Sequence, residues 1–364
     1  MIIAGLEIFS YQLALIQPVA LKGRTMENRT GLLVRVTSAS GFRGWGEIAP
    51  LQGVSRENPS DARKQALHLR TSLPGVELPD DWVPLEGNLL FLPQAANLTP
   101  AVRFGIELAL WNLWLDAGRP RPTGEEHETP LDVFLNGLLA GRPDEVLDQA
   151  QALVKAGYRA VKLKVGGKPL EADIQLTLKL REVIGDEVGL RLDANRAWSL
   201  EDAVRFGKAV NGSRIEYIEE PLADPASMTT FTAECGLPVA LDETLLELPI
   251  ERLDKGQGIT AVVLKPTLLG GFHLSMQLAL KARQLGLMPV VSSTFETGVG
   301  IAGLARFAAI VSKDTPVGLD TYRWLATDVM VPRIETCNGR IDLTLLEQRH
   351  REVSRLMLEE LIDA

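Results

Sequence analysis

Ala160-Val161-Lys162-Leu163-Lys164-Val165 is an aliphatic, β-branched run carrying two lysines where a buried strand should carry none. Lysines two apart on a strand point to the same face. One lysine at a strand end is an ordinary snorkelling side chain. A matched pair inside an apolar strand calls for compensation. Two ammonium groups so close repel, and partial burial lowers the pKa expected of each. That is how a lysine is tuned to take a proton near neutral pH.

Outward from this strand the pattern repeats. From about Leu131, short apolar strands (DVFLNGLLAG, AVKLKV, GLRLDA, IEYIEE, PVALDE, AVVLKP, MPVVSS and VGLDTY) alternate with polar-capped helices. Alternation predicts a parallel sheet, and eight such units predict a closed β/α barrel whose last strand lacks its helix. The tail RIDLTLLEQRHREVSRLMLEELIDA reads as a strand-like piece and a helix that return to the N-terminal region. Residues 1 to about 55 alternate like antiparallel strands, with Arg24, Arg29 and their polar neighbours forming a solvated hairpin loop or a lid. A helix follows, with Ser60 or Asp61 as its N-cap just after Pro59, and residues 72–96 read as irregular. A second helix opens on Thr99-Pro100 and closes on Gly118. RPRPTGEEHETP has the composition of a linker or exposed loop.

The 364 residues are 46% hydrophobic and 23% charged, ample for a large barrel plus a smaller domain. A net charge of −9 argues against nucleic acid and anionic membranes as partners. Cys235 and Cys337 make no disulfide framework and lack metal-ligand spacing, which fits a reducing, cytoplasmic setting. The opening run contains Glu7 and Gln12 and lacks a basic n-region, so neither signal peptide nor membrane helix is expected.

Catalytic groups of a closed barrel sit at the carboxyl ends of its strands. Those ends carry Lys162 and Lys164, Asp193 and Asn195, Glu219 and Glu220, Asp242 and Glu243, Lys265, then Ser292 and Ser293. They recur at near-even intervals, about one strand plus one helix apart. Singly, each acid reads as a helix cap. Three successive strands ending in acids, flanked by lysines, concentrate negative charge that a divalent metal resolves. Oxygen-only ligands select Mg²⁺ or Mn²⁺ over zinc. A metal between two lysines suits removal of a proton beside a carboxylate, so the expected partner is a small-molecule carboxylate substrate. Glu219 and Glu220 point to opposite faces, and spacing does not say which faces inward.

Lys162-x-Lys164, Asp193-x-Asn195, Glu219-Glu220-Pro221, Asp242-Glu243 and Lys265-Pro266, with Gly44-Trp45-Gly46-Glu47 upstream, resemble the enolase superfamily in its muconate-lactonizing-enzyme branch. Within the branch, LRLDANRAW, LKPTLLGG, SSTFETGVG and GLDTY are most similar to the o-succinylbenzoate synthase family. The resemblance implies a modified TIM barrel, (β/α)7β, over residues 126–334. It also implies an α+β capping domain over 1–125 that takes in part of the tail, about 335–364. It implies Asp193, Glu219 and Asp242 as metal ligands, Lys164 as acid/base catalyst, Lys265 facing it across the substrate, Lys162 as electrostatic support and Asn195 near the metal. The implied reaction is a dehydration through an enediolate, in menaquinone or phylloquinone precursor synthesis.

Gly298-x-Gly300-x-x-Gly303 matches a dinucleotide fingerprint but follows the seventh strand rather than the first. It reads as a tight turn into a helix, either a plain structural turn or one whose N-terminus, at Gly298, receives a substrate carboxylate. Ser292, Ser293 and Thr294 line the pocket or cap that helix. None of His68, His127, His273 and His350 ends a strand, which weighs against a histidine base. Rival readings are an N-acylamino acid racemase or dipeptide epimerase on the same scaffold, a muconate cycloisomerase, and a non-catalytic metal-stabilised barrel. Gly318-Leu319-Asp320-Thr321-Tyr322 supplies one acid where dipeptide epimerases carry two. Oligomeric state stays open.

Overall fold

The structure, a computed structural model, describes residues 1–21, 24–92, 95–122, 131–256, 258–348 and 352–361. Strands β1 (Ile3–Leu21), β2 (Arg24–Ser38) and β3 (Arg43–Ile48) form an antiparallel sheet. The first hairpin is longer than expected. Pairing continues past a bulge to Leu21↔Arg24, so Arg24 and Arg29 are strand residues rather than loop. Arg29 is buried. It donates to the carbonyls of Phe295 at 3.1 Å, Pro50 at 3.2 Å and Ala49, which ties the hairpin to the rest of the fold.

Helix α1 (Pro59–Ser72) starts earlier than the expected caps Ser60 and Asp61. Its N-cap is Asn58, which accepts from the Asp61 N–H at 2.9 Å, because Pro59 lacks an N–H and suits the first turn. Helix α2 (Pro100–Asp116) follows Thr99 as read. It packs backbone to backbone on β3. A Cβ at Gly44 would overlap the carbonyl oxygen of Ala109, and one at Gly46 would overlap that of Gly105. The Gly-Trp-Gly-Glu stretch is therefore a helix–strand contact closer than side chains allow.

The second layer begins with β4 (Asp132–Phe134), β5 (Asn136–Leu139) and α3 (Pro143–Lys155). It continues through β6 (Ala160–Lys164), α4 (Leu170–Ile184), β7 (Gly189–Asp193), α5 (Leu200–Val210), β8 (Ile215–Glu219) and α6 (Met228–Cys235). Then come β9 (Val239–Leu241), α7 (Glu243–Glu247), β10 (Ile259–Leu264), α8 (Pro266–Leu269), α9 (Phe272–Gln284), β11 (Met288–Val291) and α10 (Gly298–Val311). Strands β5 to β11 are parallel neighbours in sequence order. The eighth position is not the full strand expected from VGLDTY. Val317 bridges to Leu135 and Gly318 to Ser292, closing the ring with single residues, and Asp320–Trp324 is already a 3₁₀ turn. The architecture is a modified TIM barrel with an N-terminal α+β cap. No described helix is long and apolar enough to cross a membrane.

Beyond the barrel lie β12 (Met330–Val331), β13 (Arg340–Asp342), α11 (Leu343–Gln348), β14 (Glu352–Val353) and β15 (Glu359–Glu360). The tail holds a strand and a helix, β13 and α11, and the short strands β14 and β15 come after them. β15 adds to β1 through Phe9↔Glu360, and the Leu361 N–H donates to the Ile8 carbonyl at 2.9 Å. The tail thus completes the N-terminal sheet.

A buried carboxylate from α2 joins cap to barrel. Glu107 accepts from the N–H groups of Phe272 at 2.5 Å and His273 at 3.1 Å, satisfying the open N-terminus of α9. Gly271 caps that helix at φ 103°, where a Cβ would overlap the Glu107 carboxylate.

The β3–α2 contact predicts that Gly46→Ala forces strand and helix apart and destabilises the fold by about 3 kcal/mol. Chemical denaturation measures this. A variant as stable as wild type would contradict the close contact.

Candidate active site

Register places the site. Lys164 pairs with Asp193 and Asp193 with Glu219, so the ends of β6, β7 and β8 stand level, with Asp242 just past the end of β9. All three carboxylates are buried. Lys162 Nζ donates to Glu219 Oε2 at 3.0 Å and Oε1 at 3.2 Å and lies 3.4 Å from Asp193 Oδ2. Lys164 Nζ is 2.9 Å from Asp193 Oδ2 and donates to Asn195 Oδ1 at 2.5 Å. Lys265 Nζ pairs with Asp242 Oδ2. Lys162, Lys164, Lys265, Asp193, Glu219 and Asp242 are therefore brought together at the barrel mouth.

Geometry also separates the two glutamates. Glu219 faces the lysines. Glu220, at φ 39°, turns away and accepts from the Asp242 and Thr244 N–H groups at 2.9 and 2.8 Å, the Thr244 hydroxyl at 2.9 Å and Arg196 Nε at 2.9 Å. It braces the loop that carries Asp242. Asn195, at φ 43°, donates to Glu243 Oε1 at 3.2 Å, so its amide links Glu243 to Lys164.

The electrostatics correct one expectation. Burial opposes the charge on Lys162, but the Glu219 and Asp193 carboxylates outweigh it and push its pKa up, not down. Lys265 is likewise raised against burial, by Asp242. Burial pushes the Glu219 carboxyl up to about 7; Lys162 opposes this, and Asp193 and Asp242 add to it. Asp193 goes the other way: Lys164 and Lys162 outweigh burial and hold it below the usual carboxylate range.

The expected substrate-binding residues are occupied from within the protein. Ser292 and Ser293 donate to the Gly318 carbonyl at 3.3 and 2.8 Å, and Ser293 meets the Thr321 hydroxyl at 2.6 Å. Thr294 donates to Glu296 through both its N–H and its hydroxyl, each at 2.5 Å. The Gly298 N–H donates to Asp328 Oδ1 at 2.9 Å. Thr297 N–H and hydroxyl and the Gly300 N–H all donate to Glu47, at 2.7 to 3.0 Å. The N-terminus of α10 thus receives two protein carboxylates in place of a substrate's. The three glycines of the apparent fingerprint are spacing for packing: Cβ atoms there would overlap Asp328, Glu296 with Glu47, and Leu108 respectively.

Sequence reading did not single out Glu296, Glu107, Asp328, Arg191 or Tyr217, all buried. The signal for Arg191 and Tyr217 was present: each precedes a site acid by two residues and so shares its face. His68 lies in α1 and His273 in α9, away from strand ends; His127 and His350 lie outside the described residues.

Among the described residues, no three His, Cys, Asp or Glu side chains are grouped closely enough to hold a metal ion, since the carboxylates here turn to the lysines. The donor set nonetheless fits one. Three buried carboxylates on successive strand ends are an oxygen-only set suited to Mg²⁺ or Mn²⁺. The lysine ammonium groups presently take up charge that a dication would neutralise.

A family model described as "Enolase C-terminal domain-like" matches residues 145–346, and one described as "MenC, N-terminal domain" matches residues 3–113. The o-succinylbenzoate synthase of Haemophilus influenzae is 33% identical over 326 residues, which cover 89% of this chain and 91% of that protein. "Protein PHYLLO, chloroplastic" of Arabidopsis thaliana is 35% identical over 345 residues, and the chain spans 20% of its length. A dipeptide epimerase from Enterococcus faecalis, crystallised with Mg and the dipeptide L-Leu-L-Tyr, superposes with a TM-score of 0.80 at 21% identity. The match covers 99% of this chain and 100% of that one, and shows the shared fold.

Glu47 yields a pH prediction. Burial, then the nearby Glu296 carboxylate, raises its pKa from 4.5 to about 7. The folded state therefore holds this proton more tightly than the unfolded chain, and Glu47's contribution to stability falls as pH rises from about 4.5 through about 7. Glu47→Gln removes that dependence. The stability of the variant relative to wild type is expected to improve between about pH 5 and about pH 8, by up to roughly 3 kcal/mol. Denaturant titrations at both pH values test it, and a difference independent of pH would refute it.

Proposed function

This chain belongs to the enolase superfamily, in its muconate-lactonizing branch, and we propose that it is an o-succinylbenzoate synthase. The substrate is then 2-succinyl-6-hydroxy-2,4-cyclohexadiene-1-carboxylate. The observation that carries this reading is the flanking of one carboxylate cluster by Lys164 on β6 and Lys265 at the end of β10. Support also comes from relatives of that name that align over nearly the whole chain at about 33% identity, whereas the epimerase structures share only the fold.

In this mechanism Asp193, Glu219 and Asp242 would hold Mg²⁺, with Mn²⁺ an alternative. When bound, the cation supplies a Lewis acid for the substrate carboxylate and takes up carboxylate charge that otherwise engages the lysines. Lys164 removes the proton from the carbon bearing the ring carboxylate. The charge that develops is stabilised by the fixed cation of Lys265, which moves no proton. Lys164 then returns its proton to the 6-hydroxyl, the C–O bond breaks, and water departs as the ring becomes aromatic. Lys162, buried and paired with Glu219, keeps that carboxylate in place. Asn195 orients Lys164. The cell role is quinone-precursor synthesis in the cytoplasm, with residues 126–334 as the barrel and 1–125 as its cap.

Racemisation of N-acylamino acids is the second reading, since lysines on both sides of a substrate suit a two-base proton transfer. A dipeptide is less well served. Asp320, the one acid of the eighth position, is buried and already accepts from Tyr158 Oη at 2.8 Å, Leu138 N–H at 3.0 Å and Arg323 Nε at 2.6 Å. Three of its roughly four acceptor positions are thus taken by the protein, and Arg323 already supplies its cation.

Loss of the diene absorbance with Mg²⁺ present is the test. Wild type should turn the substrate over, while Lys164→Ala and an EDTA-treated sample should each fall at least about 10³-fold. Lys265→Ala is expected to lower kcat more than it changes KM. Absence of turnover by wild type, with deuterium exchange into N-acylamino acids, would favour the racemase.

A further inference from the structure

Tyr217 lies two residues before Glu219 on β8, so its side chain enters the barrel beneath that carboxylate. In register it neighbours Arg191, and Arg191 neighbours Lys162. These three residues form one rung directly below the rung of Lys164, Asp193 and Glu219. Tyr217 is 0% exposed, yet its hydroxyl has no hydrogen-bond partner among the described residues. A buried hydroxyl left unpaired is costly.

Nothing in the packing requires that oxygen. The ring clusters with Ala240, Ala261, Val263 and Val290, and the Arg191 guanidinium stands 5.0 Å from its centroid. Arg191 is itself committed, to Glu216 at 2.7 Å, Asn136 at 2.9 Å and the Pro316 carbonyl at 2.5 Å. Phenylalanine would fill the same space at no polar cost.

A polar atom that the fold does not need, one rung under the reactive groups, serves the site. The acceptors of Lys162 all lie above it, on Glu219 and Asp193 toward the mouth. Once substrate and a cation draw on those carboxylates, Lys162 needs support from beneath. We propose that Tyr217 is a positioning residue for Lys162, its hydroxyl bridged by one interior water to the Lys162 ammonium. The rate consequence rests on the dehydration reading above; the bridge itself does not.

Tyr217→Phe separates the two. The thermal midpoint of the variant is expected to stay close to that of wild type, because the ring keeps its packing and one water-mediated hydrogen bond is lost. kcat is expected to fall about tenfold with KM within about twofold, which a merely structural role would not produce. A high-resolution crystal structure of wild type should show a water joining Tyr217 Oη to Lys162 Nζ, and the variant should lack it with the lysine displaced. Unchanged kcat, or a wild-type barrel with no such water and Lys162 unmoved in the variant, overturns the proposal. If wild type does not dehydrate the diene, the reaction assignment fails instead. The crystallographic comparison, and deuterium exchange into N-acylamino acids by wild type and variant, then decide the role of Tyr217.

Discussion

Charge compensation in a buried place is the constraint on which this structure depends. Asp193, Glu219 and Asp242 converge inside the barrel mouth, where unpaired carboxylates are costly. Three ammonium groups, from Lys162, Lys164 and Lys265, meet them. The match is uneven. Asp193, touched by two lysines, is held ionised, while Glu219 keeps a raised pKa despite Lys162. A cluster balanced but not saturated in this way is suited to accept further positive charge and an anionic substrate together.

The same economy of charge joins the two layers. Glu47 and Glu107 leave the N-terminal sheet and α2 and end on the open N-termini of α10 and α9. Helix ends present N–H groups and a positive dipole, so a buried carboxylate there satisfies both partners. Tyr11, also buried, donates to Glu47 at 2.5 Å and completes that contact. Glycines at 271, 298 and 300 admit these carboxylates and Asp328, each where a Cβ would intrude.

The barrel and the cluster of lysines and acids at its mouth were legible in the sequence because both are periodic. Strand ends recur at near-equal intervals, and Lys162-x-Lys164 announces its own face. Periodicity also led the reading astray. VGLDTY resembles the other strands, yet Gly318 packs so close to Ser292 that two bridging residues suffice to close the ring. Gly298-x-Gly300-x-x-Gly303 resembles a phosphate loop because both uses need absent side chains; only the partner differs, and a local pattern does not name a partner 250 residues away such as Glu47. The pKa of Lys162 was misjudged for a related reason. Burial and the neighbouring lysine are visible in the local run, but the carboxylates that outweigh them come from two other strands.

The pairing of β15 with β1 has a consequence for how the chain is made. Phe9 finds its partner Glu360 only after the intervening barrel has been made. Until then one edge of the first sheet stands open, with backbone groups free to pair with another chain. The barrel between them is assembled from neighbouring strands and can form while synthesis proceeds. The N-terminal sheet, begun first, therefore gains its fourth strand only after the barrel that separates the two in sequence.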